Sequence, residues 1–169
     1  MQMILKPRLW YALVAAICAA MLGYALYVQH RDFLDPCPLC IFQRVAFLWM
    51  GAVAALAAIH NPGKKGTSAY AILLSLGGLI GGAIAWRHIW LQSLPPELVP
   101  DCGAGLNYMI DTMPFAEVLR EVFYGSGECA EISWTFLGLS MPWWTLIWYL
   151  LLTIMTIIVT IRMKSVRSD

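Results

Sequence analysis

Four long apolar stretches, separated by polar segments, dominate the pattern along the chain. They cover about residues 9–28, 41–59, 68–90 and 143–161. Each is close to the roughly 20 apolar residues that cross the hydrocarbon core of a bilayer. Helices are the only open-ended elements that satisfy their own backbone hydrogen bonds in lipid. The pattern therefore predicts an all-α membrane protein, a single domain over residues 1–169 built as a bundle of four transmembrane helices.

Composition points the same way. Of the 169 residues, 60% are hydrophobic and only 12% are charged, and the mean hydropathy is +0.69. A soluble domain of this length cannot hide so much apolar surface from water. The formal net charge of +1 shows no basic excess of the kind that nucleic-acid binding requires. Lys6 and Arg8 precede the first stretch, which has spanning length and no clear cleavage site, so we expect a retained first helix.

The polar segments between the stretches differ in length. Residues 29–40 form a short link, and residues 60–66 are a polar, helix-breaking loop. The segment from about 91 to 142 is long and rich in proline and glycine, so it is predicted to be mostly loop. Within it, residues 115–123 carry apolar side chains at helical spacing after Pro114. This spacing predicts a short amphipathic helix on the membrane surface.

Lysine and arginine predict the orientation in the membrane. Seven of the eleven basic residues flank the N-terminus, the second polar segment and the C-terminus: Lys6, Arg8, Lys64, Lys65, Arg162, Lys164 and Arg167. Nine of the ten acidic residues lie in the other two segments. Loops rich in lysine and arginine stay in the cytoplasm. Both termini are therefore expected to be cytoplasmic, and the segments 29–40 and 91–142 are expected to face the opposite compartment.

Two cysteine pairs fall on that opposite side. Cys37 and Cys40, spaced Cys-x-x-Cys, open the second stretch, where a helix N-terminus favours the reactive thiolate. The two-residue gap closes too small a loop to stabilise folding much, so a redox pair is favoured over a passive disulfide or a metal clip.

Cys102 and Cys129 lie in the long polar segment. A structural disulfide worth roughly 3 kcal/mol is the alternative for this pair, but a Cys-x-x-Cys on the same face favours exchange between the two pairs. The fifth cysteine, Cys18, lies in the middle of the first stretch and is expected to be a small buried residue.

Two further polar residues fall within apolar stretches. Arg44 lies one helical turn after Cys40 on the same face, and a charge inside a spanning segment indicates function, with anchoring at the interface as the alternative. His88, at the outer end of the third stretch, could anchor the helix or hydrogen-bond a carbonyl ligand. Glycines of the third stretch have the small-xxx-small spacing of closely packed membrane helices and could also leave room for a flat ligand: Gly77, Gly78, Gly81 and Gly82.

The run from Cys37 to Arg44 (CPLCIFQR), the pair Cys102 and Cys129, and the segment 125–142 resemble the bacterial disulfide-bond formation protein B (DsbB) family. The resemblance covers nearly the whole chain. It implies an enzyme of the bacterial inner membrane that reoxidises the periplasmic thiol oxidase DsbA and passes the electrons to ubiquinone or menaquinone. The two polar segments that carry the cysteines would then be periplasmic loops.

The resemblance also implies a role for each site residue. Cys102 would be attacked by reduced DsbA, and the released Cys129 would attack Cys37. Cys40 would then be freed as a thiolate that passes electrons to the bound quinone. The remaining two positions, Arg44 and His88, would support quinone binding.

Other classes of protein make different predictions. A membrane protein that handles copper(I) through the Cys-x-x-Cys should carry a ladder of methionine and cysteine ligands across its helices, and none is visible. A structural subunit whose long loop is merely closed by a disulfide would not explain the charge of Arg44 inside a spanning segment. In the vitamin K epoxide reductase type, the Cys-x-x-Cys lies near the last helix, whereas here it opens the second.

Overall fold

The computed structural model describes residues 7–33, 36–99, 106–125 and 127–166. In chain order the elements are α1 (Pro7–Asp32), α2 (Pro38–His60), α3 (Lys64–Gln92), a 3-10 turn (Pro96–Leu98), α4 (Leu106–Thr112), α5 (Phe115–Tyr124), α6 (Gly127–Ala130), β1 (Thr135–Phe136), β2 (Leu139–Ser140) and α7 (Met141–Val166).

Four of these helices, α1, α2, α3 and α7, are long and apolar enough to cross a membrane. The predicted fold class, a helical membrane protein with four spanning helices, is confirmed. Each predicted stretch lies inside one of the four helices, and each helix continues beyond it into more polar sequence. Hydropathy marks the part of a helix that lipid can accept, whereas the helix itself continues as long as its backbone hydrogen bonds are satisfied.

The helices pack in the order α1, α2, α3, α7, each mainly on the next. Glycines of α3 make the contact with α7 close, because a side chain at Gly78 would collide with Thr153 and one at Gly81 would collide with the ring of Tyr149. This is the expected small-residue packing of membrane helices. Cys18 is fully buried in the main core, as expected for a small apolar residue.

One end of the bundle carries the start of α2 and the end of α3, and we call it the cysteine end. The segment between α3 and α7 folds onto this end and is more ordered than the mostly looped segment predicted. The predicted amphipathic helix is present as α5, which buries Val118 and Val122. The short helices α4 and α6 and the hairpin of β1 and β2, paired antiparallel, were not predicted.

A second buried cluster explains why this segment folds. It joins side chains of α4, α5 and α6 to the ends of α2 and α3: Cys37, Leu39, Ile84, Leu91, Met109, Val118, Val122 and Cys129. Arg87 of α3 also holds the end of α5 in place. Its guanidinium donates to the carbonyl oxygens of Phe123 at 3.0 Å and Tyr124 at 2.8 Å. A cation at the C-terminal end of a helix satisfies carbonyls that lack partners within the helix.

Candidate thiol redox site

The first residue of the site, Cys37, caps helix α2. Its backbone is extended, with φ −60° and ψ 159°, and its sulfur accepts a hydrogen bond from the backbone N–H of Cys40 at 3.3 Å. Pro38 follows in the first helical position, where a missing N–H costs nothing. Helix α2 therefore begins at Pro38, earlier than the predicted residue 41, and Cys40 lies in its first turn.

The sulfurs of the Cys-x-x-Cys face each other. Cys37 Sγ donates to Cys40 Sγ at 2.9 Å, so a small movement brings the pair to the roughly 2.05 Å of a disulfide. Hydrogen bonds to Cys129 and to Cys40, together with burial, raise the pKa of the Cys37 thiol. The helix N-terminus was expected to favour a thiolate in this pair. For Cys37 the opposite holds, because its neighbours are sulfurs that accept its proton.

Cys129 completes the sulfur cluster. Helix α6 holds it with no exposed surface, and its side chain is hydrogen-bonded to Cys37. The expected proximity of a long-loop cysteine to the Cys-x-x-Cys is therefore present for Cys129. Cys102 lies outside the described residues.

His88 of α3 lies beside the sulfurs, with 2% of its surface exposed. Its Nε2 is 3.8 Å from Cys37 Sγ, and its Nδ1 is 3.1 Å from Nε2 of Gln43. An amide nitrogen can only donate, so in this orientation of the Gln43 amide Nδ1 accepts and the ring proton is placed on Nε2, facing sulfur. The two residues are 51 positions apart in the sequence, and no local motif connects them.

Gln43 is a site residue to which the sequence analysis gave no role. It is 4% exposed. Thr145 of α7 donates to its side-chain oxygen at 2.6 Å, and the hydroxyl of Tyr149 donates to its backbone carbonyl at 2.6 Å. Gln43 thereby joins α2, α3 and α7. The available signal was a neutral amide inside an apolar stretch, which in lipid needs hydrogen-bond partners from neighbouring helices.

Arg44 points toward α1. Its guanidinium donates to the side-chain oxygen of Gln29 and, at 3.4 Å, to the carbonyl of Ala25. Among the described residues no carboxylate forms an ion pair with it; the ion pair found there joins Arg31 to Asp32. The positive charge of Arg44 therefore remains available to a neighbouring thiolate or a bound molecule.

Two cavities meet at Cys40 and Arg44. The larger has a volume of about 320 Å³, opens between α1, α2 and α7, and is walled largely by aromatic rings. Trp134 stacks on Phe136 with an interplanar angle of 20°, and Phe136 contacts Trp144 at 5.8 Å between ring centroids.

The smaller cavity, about 80 Å³, is lined by Cys37 and His88 as well as by Cys40 and Arg44. His88 lines this smaller cavity and is absent from the lining of the larger one.

The site also has a donor set that a metal ion could use. The ligand atoms of Cys37, Cys40 and His88 all lie within 4.8 Å of one another. Thiolate and imidazole ligands suit zinc and copper(I). Spacing alone therefore does not separate a metal site from a redox pair.

Fold and site together define a class: a multi-pass helical membrane protein whose cysteines are arranged for thiol–disulfide exchange at one end of the bundle. Residues 7–159 match the family model described as disulfide bond formation protein DsbB. The chain belongs to the DsbB family, which confirms the resemblance of its motifs.

Curated relatives agree with this assignment. The disulfide bond formation protein B of Nitrosococcus oceani is 52% identical over 141 residues, which cover 83% of each chain. That of Hahella chejuensis is 50% identical over 143 residues, 85% of this chain and 87% of the relative. That of Marinobacter nauticus is 43% identical over 164 residues, 97% of this chain and 98% of the relative. The protein is a membrane thiol-disulfide oxidoreductase of disulfide bond formation, and the copper-handling alternative finds no support in these relatives.

Proposed function

We propose that the protein oxidises a DsbA-like periplasmic dithiol protein and passes two electrons to a membrane quinone, either ubiquinone or menaquinone. The observation that carries the proposal is the order of groups at the cysteine end. Cys129 contacts Cys37, Cys37 contacts Cys40, and Cys40 borders an apolar cavity beside Arg44. In the net reaction the partner's dithiol becomes a disulfide and the quinone becomes a quinol, so two electrons and two protons are transferred.

The first exchange involves the Cys102–Cys129 disulfide. A thiolate of the reduced partner attacks Cys102, forms a mixed disulfide with it and releases Cys129 as a thiolate. The second thiol of the partner then displaces Cys102, so that the partner leaves as a disulfide. The role of Cys102 rests on the family resemblance and on its sequence position in the long loop.

The second exchange involves the Cys37–Cys40 disulfide. The Cys129 thiolate attacks Cys37, forms a disulfide with it and releases Cys40. The burial of Cys129 and its hydrogen bond to Cys37 support this direction of attack. Cys102 then displaces Cys37 from Cys129, which restores the loop disulfide and leaves Cys37 and Cys40 reduced. Reoxidation of this pair yields the two electrons beside the larger cavity.

The larger cavity suits a quinone ring. Its volume of about 320 Å³ is typical of small-molecule sites, and aromatic walls favour a flat ring by offset stacking. A bound quinone supplies an acceptor of two electrons and two protons. Arg44 has no carboxylate partner in the described part of the chain and would orient a carbonyl oxygen by donating to it. His88 borders the sulfurs, so we assign it to the thiol pair more than to the quinone.

Activity tests the proposal directly. Purified protein is mixed with a reduced DsbA-like protein and a soluble quinone, and quinone absorbance is followed. The wild type consumes quinone and Cys40→Ser does not. Cys18→Ala serves as the matched control, because this thiol is buried in the main core and lines neither cavity. Substantial activity of Cys40→Ser would refute the assigned electron path.

We further propose that both termini are cytoplasmic and that the cysteine end faces the periplasm, because lysine and arginine concentrate at the opposite end. Exposed single-cysteine reporters at the two ends, Gly63→Cys and Ile132→Cys, test this orientation in intact cells. An impermeant maleimide should label the reporter at 132 and reach the one at 63 only after permeabilisation. The reverse pattern would invert the topology.

A further inference from the structure

We propose that Gln43 is a positioning residue of the thiol pair, which holds His88 in the one tautomer that presents an N–H to the sulfurs. The proposal rests on the proposed function, because it concerns the same Cys37–Cys40 pair. Gln43 also lines the larger cavity, but the partners of its amide group, His88 and Thr145, lie on two other helices.

Each contact of the Gln43 amide group has one donor and one acceptor. The hydroxyl of Thr145 has two acceptors within reach, Oε1 of Gln43 at 2.6 Å and the carbonyl oxygen of Pro142 at 2.9 Å. The shorter contact directs its proton to Oε1 and orients the oxygen of the amide group toward Thr145. Nε2 of Gln43 then faces Nδ1 of His88 at 3.1 Å and donates to it. The proton of His88 is consequently on Nε2, 3.8 Å from Cys37 Sγ.

Burial makes this arrangement costly to change. Gln43 and His88 are 4% and 2% exposed, so water cannot replace a lost partner. A flipped amide would require the Thr145 hydroxyl to donate to the carbonyl of Pro142 instead, and the proton of His88 to move to Nδ1, away from the sulfurs. An unpaired polar group in such surroundings is expensive, and hydrogen bonds between buried groups are stronger than in water. The amide of residue 43 therefore determines which nitrogen of His88 can donate to a thiolate.

The positioning role is separable from a packing role. Tyr149 also binds Gln43, but through the backbone carbonyl, at 2.6 Å, and so does not act on the amide group. Tyr149→Phe removes a comparably buried hydrogen bond between the same helices and leaves the path from Thr145 to His88 intact. It is the matched control for a purely structural effect.

The test compares Gln43→Met with Tyr149→Phe in two measurements. In the reduced protein, the pH midpoint of Cys40 alkylation is measured by peptide mass spectrometry, with neither partner nor quinone present. Gln43→Met should raise this midpoint by about one pH unit and lower turnover at saturating quinone about tenfold, as expected for one hydrogen bond to a charged group. Tyr149→Phe should leave both quantities close to wild type, even if it lowers the melting temperature.

A second variant tests the direction of the hydrogen bond. In Gln43→Glu, a protonated carboxyl can still donate to Nδ1, but a carboxylate can only accept. The turnover of Gln43→Glu relative to wild type should therefore fall as pH rises. A ratio that is constant with pH contradicts the proposal.

Coupling to His88 provides the decisive control. In a His88→Phe background, Gln43→Met should change the alkylation midpoint little, because Gln43 acts through the imidazole. Full additivity, or a Tyr149→Phe variant that behaves like Gln43→Met, overturns the positioning role. A wild-type protein without quinone-dependent activity would instead overturn the proposed function, and the alkylation measurements would still decide the role of Gln43.

Discussion

Removal of the Arg44 charge should weaken the apparent affinity for quinone. Arg44 lies one turn from Cys40, lines both cavities and has no ion-pair partner among the described residues. Its contacts with α1 go to neutral oxygens, those of Gln29 and Ala25. In Arg44→Gln, a neutral side chain of similar reach could keep part of the contact with α1 but would lose the charge.

The expected magnitude follows from the type of contact. A hydrogen bond to a charged group contributes about 1.5–3 kcal/mol. The guanidinium is only partly buried and shares its donors with α1, so the lower end of that range applies. We expect the quinone KM of Arg44→Gln to rise about tenfold, which corresponds to about 1.4 kcal/mol. Arg44→Lys, which keeps the charge, should lose less than Arg44→Gln.

The assay is quinone reduction at saturating reduced partner, with quinone concentration varied. Arg31→Gln is the matched control, because Arg31 is 68% exposed at the end of α1, where it pairs with Asp32 at 3.8 Å. Arg31→Gln also removes one positive charge from the cysteine end of the bundle, and it should leave the quinone KM unchanged. An unaltered KM in Arg44→Gln, or an equal rise in Arg31→Gln, would refute a specific role for the Arg44 charge.

Three other outcomes are expected. Cys102→Ser should form no mixed disulfide with a DsbA-like partner on a non-reducing gel, and a persistent mixed disulfide would show that another cysteine is attacked. In the reduced protein, Cys37 should be alkylated only well above pH 8.5, roughly the ordinary thiol pKa, because its raised pKa keeps the thiol protonated. Cys129→Ala should shift the onset of Cys37 alkylation to lower pH. An unchanged onset would exclude Cys129 as the main cause of the raised pKa. Gly81→Ala should destabilise the protein by about 2 kcal/mol, because the added methyl group would collide with Tyr149. Gly23→Ala, at a position with open space around it, should have little effect. Equal melting temperatures of the two variants would contradict the close packing of α3 on α7.

The spanning helices could be predicted because lipid imposes a simple rule on composition and length. The short helices α4 and α6 could not, since they have too few residues to show a hydrophobic period. They form because Met109 and Cys129 are buried against the ends of α2 and α3. Contacts of this kind join distant parts of the chain and leave no local pattern.

The site was predictable where its chemistry follows a local motif. The spacing of Cys37 and Cys40 and the position of Arg44 one turn later both follow from helical geometry. The approach of His88 to Cys37 depends on how α3 packs beside α2, which the sequence alone does not specify. Gln43 was missed for a related reason, because its importance comes from partners on two other helices, at His88 and Thr145.

The cap of α2 has a consequence for how the redox state could be observed. The sulfur that accepts the hydrogen bond of the Cys40 backbone N–H, in the first turn of the helix, belongs to Cys37. In the proposed cycle this sulfur changes its bonding partner at each turnover. A thiol, a thiolate and a disulfide sulfur differ in their strength as hydrogen-bond acceptors. The hydrogen bond in the first turn of α2 should therefore weaken and strengthen as the cysteine pair is oxidised and reduced. Hydrogen–deuterium exchange at that single amide would then report turnover without any added dye.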